Sequence, residues 1–224
     1  MVKMIDLLVQ KELNSEQEAV LCARFLELCQ GLKLPDSQAK EYYQQLYDLY
    51  TDSNRHYHNL VHIFNLLNLV DTYKISIEQP LLFELAVWYH DAIYNAKAKD
   101  NELQSAILVQ KLFSKYLDSR GLSYVNALIM STEGHFPKLE NQDTYLFLDF
   151  DLSILAAESS VYNLYSEAIW QEYKIAYIKV LYNMGRKKVL KNFLARDKIY
   201  FSPVFFAKYE AKARQNIRLE LNGK

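Results

Sequence analysis

The 224 residues carry 26 Lys and Arg against 27 Asp and Glu, a formal charge of −1, and half of them are apolar. A chain of this size buries a sizeable core as one domain or one domain with an extension, and its balance of charge supplies no global field toward nucleic acid or anionic lipid, although a local basic patch is open to it. Five glycines and four prolines are too few for the many tight turns of a sandwich or barrel, so the expected fold class is all-α, a helical bundle.

The opening MVKMIDLLVQKELN lacks the long apolar region and small-residue cleavage site of a leader, and no apolar run reaches the roughly 18 residues of a membrane span. Cys22 and Cys29 lie two helical turns apart, too far to bridge, and the expected setting is reducing and cytoplasmic, with no membrane partner. Ser15 with Glu18 forms a capping box for a helix at about 15–30, which Gly31 closes. Helical periodicity continues over about 36–51, 55–73, 80–94, 101–119, 123–133 and 143–156, with Pro80 suited to a first turn and Asp100 to an N-cap. From Val161 onward the tyrosine- and lysine-rich sequence predicts three or more helices, broken near Gly185 and around Ser202-Pro203. The late cations, among them Arg186, Lys187, Lys188, Lys191 and Arg196, read as a solvated helix face.

Chemistry concentrates in three places. In NRHYHNLVHIFNLLNLV a helix would align Arg55, His58, His62 and Asn65, with the two imidazoles at i and i+4 one turn apart. Three of the five histidines fall between positions 56 and 62, and a fourth, His90, stands beside Asp91 in the apolar LAVWYHDAIYN. Burying an imidazole beside a carboxylate is costly unless each is paired or binds a cation. In TYLFLDFDLSILA, Asp149 and Asp151 diverge by about 200° on a helix, so one of them faces inward, either to a cation or to an N-cap or arginine.

The order His62, His90-Asp91, Asp151 on an all-helical chain resembles the HD superfamily of metal-dependent phosphohydrolases. Residues Tyr57 to His62 are similar to the YHNxxH motif of cyclic-nucleotide phosphodiesterases, and Asp151-Leu152-Ser153 to their DLS. The likeness covers about 54–155, with about 160–220 as a helical extension in a single domain, and the chain looks closest to small predicted HD-type phosphohydrolases. The resemblance implies an HD-like bundle in which His62, His90, Asp91 and Asp151 hold a divalent metal, Mn, Fe, Co, Ni, Zn or Mg. It makes His58 the general acid, prefers Asp151 to the alternative ligand Asp149, and implies a small phosphorylated or nucleotide-like substrate, with no nucleic-acid partner. The longer domain and base clamp of the cyclic-nucleotide enzymes have no counterpart, so their substrate is not carried over.

A cation on such a mixed N/O set acidifies water for attack on phosphorus, and His58 would protonate the leaving oxygen. Glu102 is a further catalytic candidate, positioning water, unless it serves only the helix dipole. Arg55, Asn59, Thr132 and His135 are candidates for substrate or a second metal, each with an ordinary structural role as the competing reading. The alternatives to hydrolysis are a non-catalytic nucleotide-binding module and a di-iron oxygenase, the latter disfavoured because only His135 is left as an extra ligand.

Overall fold

A computed structural model describes residues 12–223, so the reading of the first residues as lacking a leader falls largely outside the described residues. Among the described residues the ten α-helices are α1 (Ser15–Gly31), α2 (Asp36–Tyr50), α3 (Leu60–Tyr73), α4 (Pro80–Tyr89), α5 (Asn101–Phe113), α6 (Ser119–Ser131), α7 (Gln142–Asp151), α8 (Ser159–Tyr173), α9 (Lys179–Ala195) and α10 (Pro203–Leu221). Short 3-10 turns at Lys74–Ser76 and Leu152–Ala156 extend α3 and α7, and no strand occurs among the described residues, so the all-α expectation is met. None of the described helices is long and apolar enough to cross a membrane.

Helix α4 is the hub because, apart from Glu84, which pairs with Arg24, it is apolar: Phe83, Leu85, Ala86, Val87, Trp88 and Tyr89 are all buried. It packs against α1, α3, α6 and α7, and Trp88 meets the edge of Phe25 from α1 at 5.2 Å. One core runs without interruption from Leu21 to Ile217, so the C-terminal helices share it with the segment 54–155. Helix α10 lies on the turn after α7, where Asn216 donates to the carbonyls of Leu155 and Ala157.

Several expected boundaries move, each for a local reason. The first N-cap is Asn14 rather than Ser15, because Asn14 and Gln17 complete the reciprocal capping box one residue earlier. Gly31 ends α1 without a left-handed turn, which Lys33 adopts instead (φ 63°). The helix expected over 55–73 begins only at Leu60, where Asn59 caps it, and the one expected over 80–94 stops at Tyr89. Helix α5 stops at Phe113, and α6 starts at Ser119 behind the side-chain cap of Asp118. Gly185 does not break α9: the burial of Tyr182, Leu190 and Phe193 offsets the roughly 1 kcal/mol cost of a mid-helix glycine, and the break falls at 174–178.

Buried carboxylates clamp the chain at four junctions. Asp143 accepts from the backbone N–H groups of Glu78 and Gln79, Asp149 from those of Phe201 and Ser202, and Glu210 from those of Ile199 and Tyr200. Glu172 on α8 is the fourth and takes the N–H groups of His56, Tyr57 and His58. Each satisfies donors that a helix start or an irregular segment would leave orphaned in the core.

Candidate metal centre

Two partly buried carboxylates behave differently. Among the described residues, Asp91 and Asp151 accept no backbone N–H; histidines alone meet them. His62 and His90 bring their Nε2 atoms to 3.3 Å of each other. Asp151 Oδ1 lies 3.4 Å from the first and 3.8 Å from the second, while Asp91 Oδ2 lies 3.0 Å from His90 Nε2 and 3.8 Å from His62 Nε2. One ligand atom from each of His62, His90 and Asp151 falls within 4.8 Å of the other two, a buried group that could hold a metal ion, and Asp91 flanks it.

Local structure delivers these atoms. Asn59 accepts from Val61 and His62 and so fixes the phase of α3, which turns His62 inward a few residues later. Helix α4 ends one residue before His90, so the turn that follows lets adjacent residues His90 and Asp91 converge instead of splaying by the 100° of a continuing helix. Arg55 holds that turn: Nη1 donates to the carbonyls of His58 and Asp91 and Nη2 to that of Ala92, with the guanidinium over the ring of Tyr50 at 4.8 Å. His90 Nδ1 sits 2.9 Å from the Val87 carbonyl. A carbonyl only accepts, so Nδ1 carries a proton and Nε2 is the atom turned into the cluster, the orientation expected of an imidazole that can bind a metal.

The electrostatics point the same way. Burial alone would lower the pKa of His90, but the Asp91 and Asp151 carboxylates raise it to about 9, a demand for positive charge at this spot. Burial would raise Asp91, yet His90 and His58 hold it well below the usual carboxylate range; Asp151 is likewise held down by His135 and His62. His62 is shifted down by burial.

His58 is not on α3. It lies in the irregular segment before it, with its ring 6.0 Å from that of His62, so the two meet although they are not one helical turn apart. Its position comes from Glu172, whose side chain is fully buried and whose Oε2 lies 2.7 Å from His58 Nδ1 and accepts from the Tyr94 hydroxyl at 3.0 Å. Burial would lower the His58 pKa, but Glu172, Asp91 and Asp151 together outweigh it and raise it; in return His58, against the effect of burial, helps to bring Glu172 down to about 2. The Tyr94 ring stacks on His58 at 4.5 Å.

The other candidates separate. Asp149 is a clamp for Phe201 and Ser202 and is turned away from the cluster, which leaves Asp151 as the inward carboxylate of α7. Asn59 is an N-cap, Arg55 donates to carbonyls, and the Thr132 hydroxyl donates to Ile129, so each of the three has a structural role. His135 Nε2 lies 2.9 Å from Asp151 Oδ2, where it orients that carboxylate. It adopts a left-handed conformation (φ 55°) beside Gly134 (φ 70°), and Arg196 donates to the carbonyls of both. Glu102 is half-buried near Asp91 and His135, with its pKa raised chiefly by burial. A cavity of about 430 Å³ lined by Arg55, Tyr94, Asn95 and Glu172 adjoins this region, while one of about 360 Å³ near Gly31 and Leu117 is remote; the metal-binding group lines neither.

Glu172 was missed from the sequence, and Arg196, read there as part of a solvated helix face, instead donates to the carbonyls of Gly134 and His135. Glu172 sits in a tyrosine-rich helix with no neighbouring motif, and its one signal is a carboxylate beside Trp170 and Tyr173. Comparison with protein-family models, curated proteins and solved structures gave no match.

Proposed function

We propose that the protein is a metal-dependent phosphohydrolase of the HD type, acting on a small, nucleotide-like phosphomonoester or phosphodiester. The observation that carries this reading is the convergence of His62 and His90 Nε2 with Asp151 and Asp91 carboxylate oxygens that no backbone donor claims. The donor set fits a divalent cation: two imidazoles with two carboxylates suit Mn, Fe, Co, Ni or Zn better than the oxygen-loving Mg. His62, His90, Asp91 and Asp151 would hold the ion. When bound, such an ion supplies Lewis acidity, acidifying water and neutralising phosphoryl charge.

The chain's own groups supply the rest. Glu172 fixes His58 through Nδ1, which leaves Nε2 to face a leaving oxygen, and the upward shift of His58 favours the protonated imidazole that a general acid needs. His135 orients Asp151, and Arg55 holds the turn that aims His90 and Asp91. Glu102, whose pKa is raised chiefly by burial and also by Asp91, would accept a proton from water on the Asp91 side.

The test is metal analysis of the purified protein with a hydrolysis screen over nucleotides and model phosphoesters, Asp91→Ala serving as control. Bound metal with hydrolysis that the control loses supports the proposal. Metal without hydrolysis would favour a nucleotide-binding module, and metal-free protein without hydrolysis would overturn the reading.

A further inference from the structure

Residues 173–196 contain seven Lys and Arg and no Asp or Glu, in a chain whose acidic and basic residues otherwise nearly balance. Two of these cations are absorbed by the fold: Arg186 pairs with Glu220, and Arg196 holds the carbonyls of Gly134 and His135. Lys187, Lys188 and Lys191 are exposed and form no ion pair among the described residues. The same stretch carries a cluster of large apolar side chains in solvent: Ile175, Ile178, Val180, Leu181 and Met184 are 54–68% exposed.

Helix geometry puts these features on one surface. The buried stripe of α9 is Tyr182, Leu190 and Phe193. Val180, Met184, Lys187, Lys188 and Lys191 follow at spacings of three, four and seven and share the opposite face. Its first turns, with the preceding loop, are therefore apolar and its last turns basic. Exposed apolar clusters rimmed by charge mark interaction surfaces.

We propose that this face docks on the surface of an anionic lipid membrane, with the aliphatic tip at 175–184 entering the headgroup region and Lys187, Lys188 and Lys191 lying against acidic headgroups. Charge complementarity selects this occupant. A second copy docked by a two-fold axis would set this acid-free stretch against itself, and a nucleic acid would find Tyr177 as the one exposed aromatic ring of this stretch among mostly aliphatic side chains, where it needs successive stacking platforms. Basic amphipathic surfaces with aliphatic residues on the adjoining face are the kind that lie in the interface. Ile175 also borders the cavity that Glu172 and Tyr94 line, so the docked face adjoins the region of the proposed centre, although the proposal does not depend on that centre's activity.

The experiment is co-sedimentation of the full chain with vesicles of phosphatidylcholine alone or with about one third phosphatidylserine, at low and high salt. Binding to the anionic vesicles alone, weakened by salt, is expected. Each lysine near an anionic surface contributes about fivefold to partitioning, so Lys187→Ala with Lys188→Ala and Lys191→Ala lowers it about a hundredfold. Ile178→Asp with Met184→Asp abolishes it while the far-ultraviolet circular dichroism is unchanged, since these side chains are exposed. The salt dependence of the unmodified protein tests the idea even if a variant folds poorly. No sedimentation, equal binding to neutral vesicles, or insensitivity to both sets of changes overturns it. So does a dimer that the aspartate variant dissolves, or binding of single-stranded RNA, in a protein that ignores vesicles.

Discussion

Glu172→Gln separates the clamp at His58 from the rest of the fold with almost no change of shape. The carboxylate is fully buried and makes five contacts: three backbone N–H groups at 2.7–2.9 Å, His58 Nδ1 at 2.7 Å and the Tyr94 hydroxyl at 3.0 Å. Its pKa falls from an ordinary 4.5 to about 2, because the effects of His58 and the backbone donors outweigh burial, and at 1.36 kcal/mol per pKa unit this corresponds to about 3 kcal/mol. Counting bonds gives a similar figure: Gln retains neutral acceptor bonds to the backbone but turns an amide toward Nδ1 and the hydroxyl, exchanging charge-assisted for ordinary bonds at about 1 kcal/mol each. The sign follows from the depressed folded-state value: the stabilisation is complete above pH 4.5 and is lost as pH falls through about 2. Urea denaturation should therefore show the variant less stable by about 3 kcal/mol at pH 7 and by only about 1.5 kcal/mol at pH 3. A loss below about 1 kcal/mol at pH 7, or a gap that is the same at both pH values, would refute the reasoning. In a variant that still hydrolyses substrate, the alkaline limb of the pH–rate profile should move to lower pH, because Glu172 is the largest of the influences that raise His58.

His62→Ala and Asp151→Ala should each weaken metal binding by more than about a hundredfold, beyond the range seen when only a supporting residue is lost, as read by metal titration. Asp149→Ala should leave metal binding intact and cost about 2 kcal/mol in denaturation, because it uncaps Phe201 and Ser202 at the start of α10; metal loss without loss of stability would exchange the roles of the two aspartates. Arg55→Met should lower metal affinity about tenfold to a hundredfold by releasing the carbonyls of His58, Asp91 and Ala92, with KM unchanged. A raised KM with full metal affinity would return Arg55 to the role of a phosphate ligand.

Much of the fold was legible because its cues are local. Scarce glycine and proline and the 3.6-residue periodicity give the all-α class and locate the first seven described helices, with some ends misplaced by up to six residues, while the three C-terminal helices were expected without bounds; Pro80 stands at the first turn of α4 as expected. The errors occur where a distant group overrides a local preference. Helix α3 would run back through Arg55 on periodicity, but Glu172, 114 residues beyond His58, takes the three N–H groups that an earlier helix start would need. The meeting of His58 with His62 was anticipated from i, i+4 spacing and happens through that clamp instead.

The two aspartates of α7 show why such errors gather at the site. An acid in an apolar helix must have a partner, and the spacing of two requires that Asp149 and Asp151 face different ones. Neither argument says which direction leads to histidines, because that depends on the phase of α7 against α3 and α10. The phase is set by Ser202, 53 residues on from Asp149, and by His62, 89 residues before Asp151. Burial cost thus reveals from the sequence that partners exist, whereas their identity belongs to the packing. The structure sorts the carboxylates by a criterion no sequence pattern contains: Asp143, Asp149, Glu172 and Glu210 are met by backbone donors, Asp91 and Asp151 by imidazoles alone. A carboxylate saturated by N–H groups has no lone pair to offer a cation at low cost, so the two that lack such donors are the ones chemistry leaves for a metal.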